Sequence, residues 1–153
     1  MEFRDLLAPT AVALDVPATS QKAVFERAAA LLADATGVSE EALCTALAER
    51  ERLGTTGFGG GTAIPHGRVA GMERMAVAVV RTAQPLDWHA LDGLPVDLVV
   101  ALVGPEAAGA DHLKCLALVS RTLRDRQLVE KMRGATQAGA LWTLLAGPQR
   151  QAA

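Results

Sequence analysis

Two rhythms of apolar spacing run along the chain, a helical one at both ends and a continuous one in the middle. Val24, Ala28, Leu31 and Ala35 share one helical face, widened by Phe25 and Leu32. Ser20 before them offers an N-cap oxygen and Gly37 after them a stop, so the spacing predicts a helix over 21–35. Ser39, followed by Glu40 and Glu41, opens a second helix with acids placed at its positive dipole end. Its stripe reads Leu43, Ala46, Leu47 and then Arg50, with Glu41, Thr45 and Arg52 opposite. At about 100° per residue, Arg50 falls between Ala46 and Leu47, on the inward face. A cation there needs a salt bridge, a stem that carries its charge outward, or an anion to meet.

The middle of the chain changes rhythm. Residues 75–82 (MAVAVVRT) and 96–104 (VDLVVALVG) are almost unbroken apolar runs, the signature of strands buried on both faces. Between them, PLDWHALDGLP reads as a short edge element and a turn at Asp92-Gly93. Helical spacing returns over 110–125, with Leu113, Leu116, Ala117, Ser120 and Leu123 as the predicted stripe, widened by Cys115, Leu118 and Val119. A further helix, 136–146, carries Leu141, Trp142, Leu144 and Leu145 and stops at Gly147-Pro148. Helices flanking apolar strands predict an α/β sandwich around one central sheet.

Composition narrows this reading. The 153 residues suit one domain, half of them are hydrophobic, and with three Phe, two Trp and no Tyr the core must be aliphatic. A net charge of -2 argues against a nucleic-acid partner, which would require a basic face. The start of the chain has acids at Glu2 and Asp5 and no basic start followed by an apolar run, unlike a secretory signal, and no segment is long enough to span a bilayer. The expected location is the cytosol, without membrane insertion. Cys44 and Cys115 form no CxxC pair and read as thiols serving as small apolar side chains.

Residues 54–69, GTTGFGGGTAIPHGRV, hold six of the fourteen glycines. No Lys-Ser or Lys-Thr follows them, which removes a P-loop. They follow a helix and lead to Pro65, which removes a dinucleotide fingerprint. What remains is a loop whose backbone can approach something closely and which ends at His66. A neutral imidazole can accept a phosphoryl group and release it again, given N–H donors and a cation around the transferred charge. Glycine amides could supply the donors, and Arg50 and Arg68 are the cations nearby in sequence. A lone histidine also serves structurally, and the spacing alone leaves both readings open. His112, in the first turn of a predicted helix, sits where free N–H groups favour an anion, or else is a capping or solvent-facing residue. His89 has no such context and reads as structural or exposed. These histidines, without a carboxylate cluster or cysteine pair, make no zinc site, and no GxSxG elbow is present.

ALAERERLGTTGFGGGTAIPHGRV resembles the active-site segment of the enzyme IIA domains of the bacterial phosphoenolpyruvate phosphotransferase system, fructose/mannitol superfamily. PLDWHALDGLPVDLVVALVGPEAAGADHLKCLALVSRTLRD resembles the second half of the same domain, and the likeness is greatest to the nitrogen-regulatory branch. The resemblance covers residues 3–146, leaving 147–153 as a tail. It implies a single-domain α/β sandwich, a central mixed β-sheet with helices on both faces, and a site in a shallow cleft. It implies that His66 is the phosphorylated nucleophile, through Nε2, that His112 supports it and that Arg50 stabilises the phosphate, with no cofactor and no metal. Phe58, Gly60 and Thr62 depart from the family pattern.

The expected function is therefore a phosphohistidine carrier of the nitrogen-related system. His66 would take its phosphoryl group from an HPr-like phosphocarrier, and the phosphorylation state would regulate target proteins such as kinases or transporters. The alternative is a sugar-specific enzyme IIA, of fructose or mannitol type, passing phosphate to an enzyme IIB. A third reading, a binding module that no longer transfers phosphate, is opposed by intact His66, His112 and Arg50.

Overall fold

The computed structural model describes residues 1–147. In chain order the elements are α1 (Phe3–Leu6), β1 (Leu7–Val16), α2 (Gln21–Thr36), α3 (Glu40–Arg52), β2 (Gly57–Gly59), β3 (Thr62–Ala63) and β4 (His66–Val69). They continue as β5 (Ala76–Leu86), β6 (Val96–Pro105), α4 (Ala110–Leu123), α5 (Arg126–Gly134) and α6 (Ala138–Ala146). The strands form one sheet in the order β1-β5-β6-β3-β2, with β4 also paired to β6. Leu102 of β6 faces Val77 of β5 on one side and His66 of β4 on the other, so β3 and β4 follow one another along the same edge. The β5–β6 and β2–β3 pairs are antiparallel and the rest parallel, which makes the sheet mixed, as expected.

Helices cover both faces. α2 lies on β1 and β5 and against α3, whose floor is β4. α4 packs on β6 and α6 on β1, with α5 joining them. Covered twice, β6 is buried without a break from Leu98 to Gly104, which is why its sequence shows no alternation. Trp88 is fully buried and meets Phe25 of α2 edge-on, with ring centroids 5.7 Å apart. Arg81, only 8% exposed, points from β5 to the end of α5. Its Nη1 donates to the carbonyls of Met132, Arg133 and Ala135, satisfying acceptors that the helix itself cannot.

Several expectations need correction. The inward face of α2 is Val24, Phe25, Ala28, Ala29 and Leu32, while Ala35 is exposed. α4 buries His112, Cys115, Val119 and Leu123, and Leu113, placed on the expected stripe, is 66% exposed. The buried stripe is displaced by one position from the expected one, with His112 in its first turn and Ala117 also exposed. Residues 87–95 form a loop rather than an edge element, with β5 ending at Leu86. Cys115 is buried and its thiol is pushed up to about 12 by desolvation, whereas Cys44 is half-buried. Of the expected tail, residues 148–153 lie outside the described residues, as does Pro148, expected to help stop the last helix.

Candidate functional site

Pro65 decides where the site begins. It has no N–H for a ladder, so it fits an edge strand, and it holds Ile64 before it in extended backbone. The Pro65 carbonyl still accepts from the Leu102 amide at 2.9 Å, and pairing resumes with His66 opposite Leu102. Along β4 the side chains alternate. Gly67 and Val69 are buried, while His66 is half-buried and Arg68 exposed. A Cβ on Gly67 would lie 3.1 Å from both the Cβ and the carbonyl oxygen of Ala46, so glycine sets how closely α3 approaches the strand.

His66, His112, Arg50 and Arg68 line one open cleft of about 950 Å³. The rings of His66 and His112 lie 5.8 Å apart, tilted by 57°. Nδ1 of His66 is 2.8 Å from the Ile64 carbonyl oxygen, which can only accept, so Nδ1 carries the proton. Nε2 is left with its lone pair. Burial is the main cause that lowers the His66 pKa, with Arg50 adding to it, against the raising effects of the Ile64 carbonyl and Glu51. Burial likewise lowers that of His112, helped by Arg68 and His66. Both rings are thereby kept neutral and able to donate an electron pair.

The cations are uncommitted. Arg50 is half-buried beyond Leu47 and gives Nη1 to the Gly54 carbonyl at 3.0 Å. Arg68 reaches the Glu106 carbonyl at 3.4 Å. Among the described residues neither makes an ion pair with an acid. His112 is 6% exposed in the first turn of α4, and its Nδ1 has no partner among the described residues. It is neither a cap nor solvent-facing. An anion seated in this cleft would meet two guanidinium groups, two imidazoles and a helix start with no side-chain cap. No three His, Cys, Asp or Glu converge as a metal site among the described residues. His89 lies elsewhere, on the exposed 87–95 loop, beside Asp87.

All three predicted site residues are thus brought together with Gly67, but the glycine run 59–61 is not with them. Gly59, Gly60 and Gly61 adopt positive φ at the β2–β3 turn. Thr62, next to them, pairs with Leu98, four residues along β6 from the partner of His66, or about 13 Å at 3.3 Å per residue. The Gly60 amide is taken by Asp92 and its carbonyl by Arg133. The expectation that these amides serve a phosphoryl group at His66 is corrected. Glycine content reports positive φ, not which end of the strand it serves.

Sequence reasoning also missed what anchors the loop. Glu51 accepts from both the amide and the hydroxyl of Thr56, and Trp88 donates from Nε1 to the same hydroxyl at 3.2 Å. The Thr56 carbonyl then takes the Ile64 amide at 3.0 Å, so the end of α3 and the approach to His66 are tied together. The buried indole in PLDWHALDG was the one available signal.

The family model described as "Phosphoenolpyruvate-dependent sugar phosphotransferase system, EIIA 2" matches residues 5–147. A nitrogen regulatory protein of Bradyrhizobium diazoefficiens is 42% identical over 153 residues, covering 100% of both chains. The crystal structure of the nitrogen regulatory protein IIA-Ntr from Neisseria meningitidis superposes with a TM-score of 0.86 at 34% identity, covering 93% of this chain and 97% of that one. The crystal structure of IIA mannitol from Escherichia coli shares the fold, with a TM-score of 0.75 at 20% identity over 91% of this chain and 98% of that one. With the match spanning nearly every described residue, the chain belongs to the EIIA 2 family of the phosphoenolpyruvate-dependent sugar phosphotransferase system and resembles its nitrogen-regulatory members.

Proposed function

We propose that the chain is a phosphohistidine carrier of the nitrogen-related phosphotransferase system, with residues 3–146 as the working domain and the cytosol as its location. His66 accepts the phosphoryl group from a phosphohistidine on an HPr-like carrier, and the charge it gains alters binding to target proteins such as kinases or transporters. The observation that carries this reading is the Nδ1 contact of His66 with the Ile64 carbonyl, which leaves Nε2 as the nucleophile.

In the transfer step the Nε2 lone pair forms a bond to phosphorus as the bond to the carrier's imidazole breaks, and that imidazole takes the electron pair. The His66 ring becomes cationic as its pair is donated, and the Ile64 carbonyl steadies the proton on Nδ1. Arg50, Arg68 and His112 meet the oxygens of the transferring group, whose negative charge persists throughout. The phosphoryl group adds roughly -1.5 to -2 charges to an open cleft, enough to change what docks there. That no described helix is long and apolar enough to cross a membrane fits a protein that meets its partners in water.

Incubation with phosphoenolpyruvate and the upstream carriers, read by intact mass, is the test. One added phosphate that disappears in His66→Ala is expected. Label retained in that variant overturns the site, and unlabelled wild-type protein overturns the function.

A further inference from the structure

Phe58, Gly60 and Thr62 do not border His66. They line a separate cleft at the far end of β3, closed by the start of α5. Its volume of about 440 Å³ falls within the roughly 300–1,000 Å³ of small-molecule sites. The floor is apolar, made by Phe58, Leu123 and Val129, and the exposed Arg124 and Arg126 stand at its side.

The charges around this cleft are not equally committed. Arg133 is fully engaged, with Nε on the Asp97 carboxylate, Nη1 on Glu130 and Nη2 on the Gly60 carbonyl. Asp92 accepts from the amides of Gly60 and Leu94. The two carboxylates that border the cleft, Asp92 and Glu130, therefore already have donors. Arg126 has no hydrogen bond or ion pair among the described residues, and Arg124 has only the Ser120 carbonyl at 3.4 Å. The Arg126 guanidinium lies beside Gly60, where a Cβ would sit 3.5 Å from Nη1, in ordinary van der Waals contact. Two guanidinium groups with unused donors beside an apolar floor are a receptor for a charged head with a carbon body.

We propose that this cleft is a second binding site, for a small organic anion. Arg124 and Arg126 grip its carboxylate or phosphate, and Phe58, Leu123 and Val129 receive its apolar or planar body. Carboxylate and phosphate present the same paired oxygens to a guanidinium fork, so the two sources are separated by experiment. The proposal stands apart from the role given to His66, since the two clefts share no lining residue.

The test is an amide NMR titration of the full chain with three probes at millimolar concentration: inorganic phosphate, glutarate and adenosine monophosphate. Saturable shifts are expected at Gly59–Gly61 and in the first turn of α5, from adenosine monophosphate or glutarate at lower concentration than from phosphate. Arg124→Gln with Arg126→Gln, both on the surface, should weaken binding by roughly tenfold or more with an otherwise unchanged spectrum. His66→Ala should leave binding intact. Absence of saturable shifts with every probe overturns the site. Shifts that centre on Gly67 and His112 and vanish in His66→Ala overturn it too, since the anion is then in the other cleft. Phosphate binding as tightly as the organic probes overturns the role of the apolar floor.

Discussion

Nδ1 of His66 lies 2.8 Å from the carbonyl oxygen of Ile64, and this contact selects the nitrogen that keeps its lone pair. A carbonyl cannot donate, so the proton resides on Nδ1 and the pair on Nε2. Nitrogen-15 NMR of the free protein should show the Nδ1-H tautomer. The phosphorylated protein should show phosphorus coupled to Nε2, and coupling to Nδ1 would refute the assignment.

Arg50→Ala should slow acceptance of the phosphoryl group by roughly 10- to 100-fold, the range expected for losing a charge-assisted contact of about 1.5–3 kcal/mol. Its single hydrogen bond, to Gly54, and its half-exposed position make the cost to the fold about 1 kcal/mol or less. Rapid-quench labelling and urea denaturation measure the two separately. A transfer defect that follows unfolding would make Arg50 structural.

His112→Ala should leave His66 open to labelling but slow both the gain and the loss of phosphate. The native ring is buried with an unpartnered Nδ1, so its removal discards an unfavourable burial along with a contact. Stability should change little, and wild-type transfer rates would remove this residue from the site.

Both site histidines are held below the ordinary value of 6.5, chiefly by burial. The unfolded chain therefore binds protons more readily than the folded one as pH falls through 6.5. Stability should be full above that pH and decline from 6.5 down through the folded values, with His66 staying competent as a nucleophile below 6.5. Stability plotted against pH between about 7.5 and 5.5, roughly a unit either side of 6.5, should flatten in a variant lacking both rings. An unchanged slope would mean that other groups cause it.

Trp88→Phe should cost about 1–3 kcal/mol, because it shrinks a fully buried side chain and removes the indole donor to Thr56. Thermal melting should register about 2–4 °C for each kcal/mol in a chain of this size. Phosphate acceptance should weaken as well, since Thr56 tethers the chain before Ile64. A variant as stable as the parent would show that the Glu51 contact alone holds the loop.

Long apolar runs were legible and short or mixed ones were not. β5 and β6 stand out because both their faces are covered, whereas Pro9, Thr10 and Asp15 interrupt β1 and hide it. α5 is masked by its charge, with only Val129 and Met132 buried. Its start is announced only by Asp125, whose carboxylate accepts from the Leu128 amide and whose position the sequence assigned to the preceding helix. At the site, Arg50 was legible because a charge stood on an apolar face. His66 and His112 were carried by resemblance and a helix start. Arg81 was read as part of a strand, since no local pattern reveals that its partners are helix carbonyls about 50 residues away. The same limit misplaced the glycines, whose neighbours Asp92 and Arg133 come from distant loops and helices.

β4 is an edge strand, paired only to β6 among the described residues, and its four residues include a charge and follow a proline. Those features discourage a second sheet from adding there, so the margin stays open without inviting aggregation. His66 is rooted in that margin by backbone pairing while its half-buried side chain lines the open cleft. A group can be loaded or unloaded there without unzipping a strand or swinging a lid. On the proposed function, the message is written in surface charge, on a strand whose backbone pairing is already complete on its β6 side.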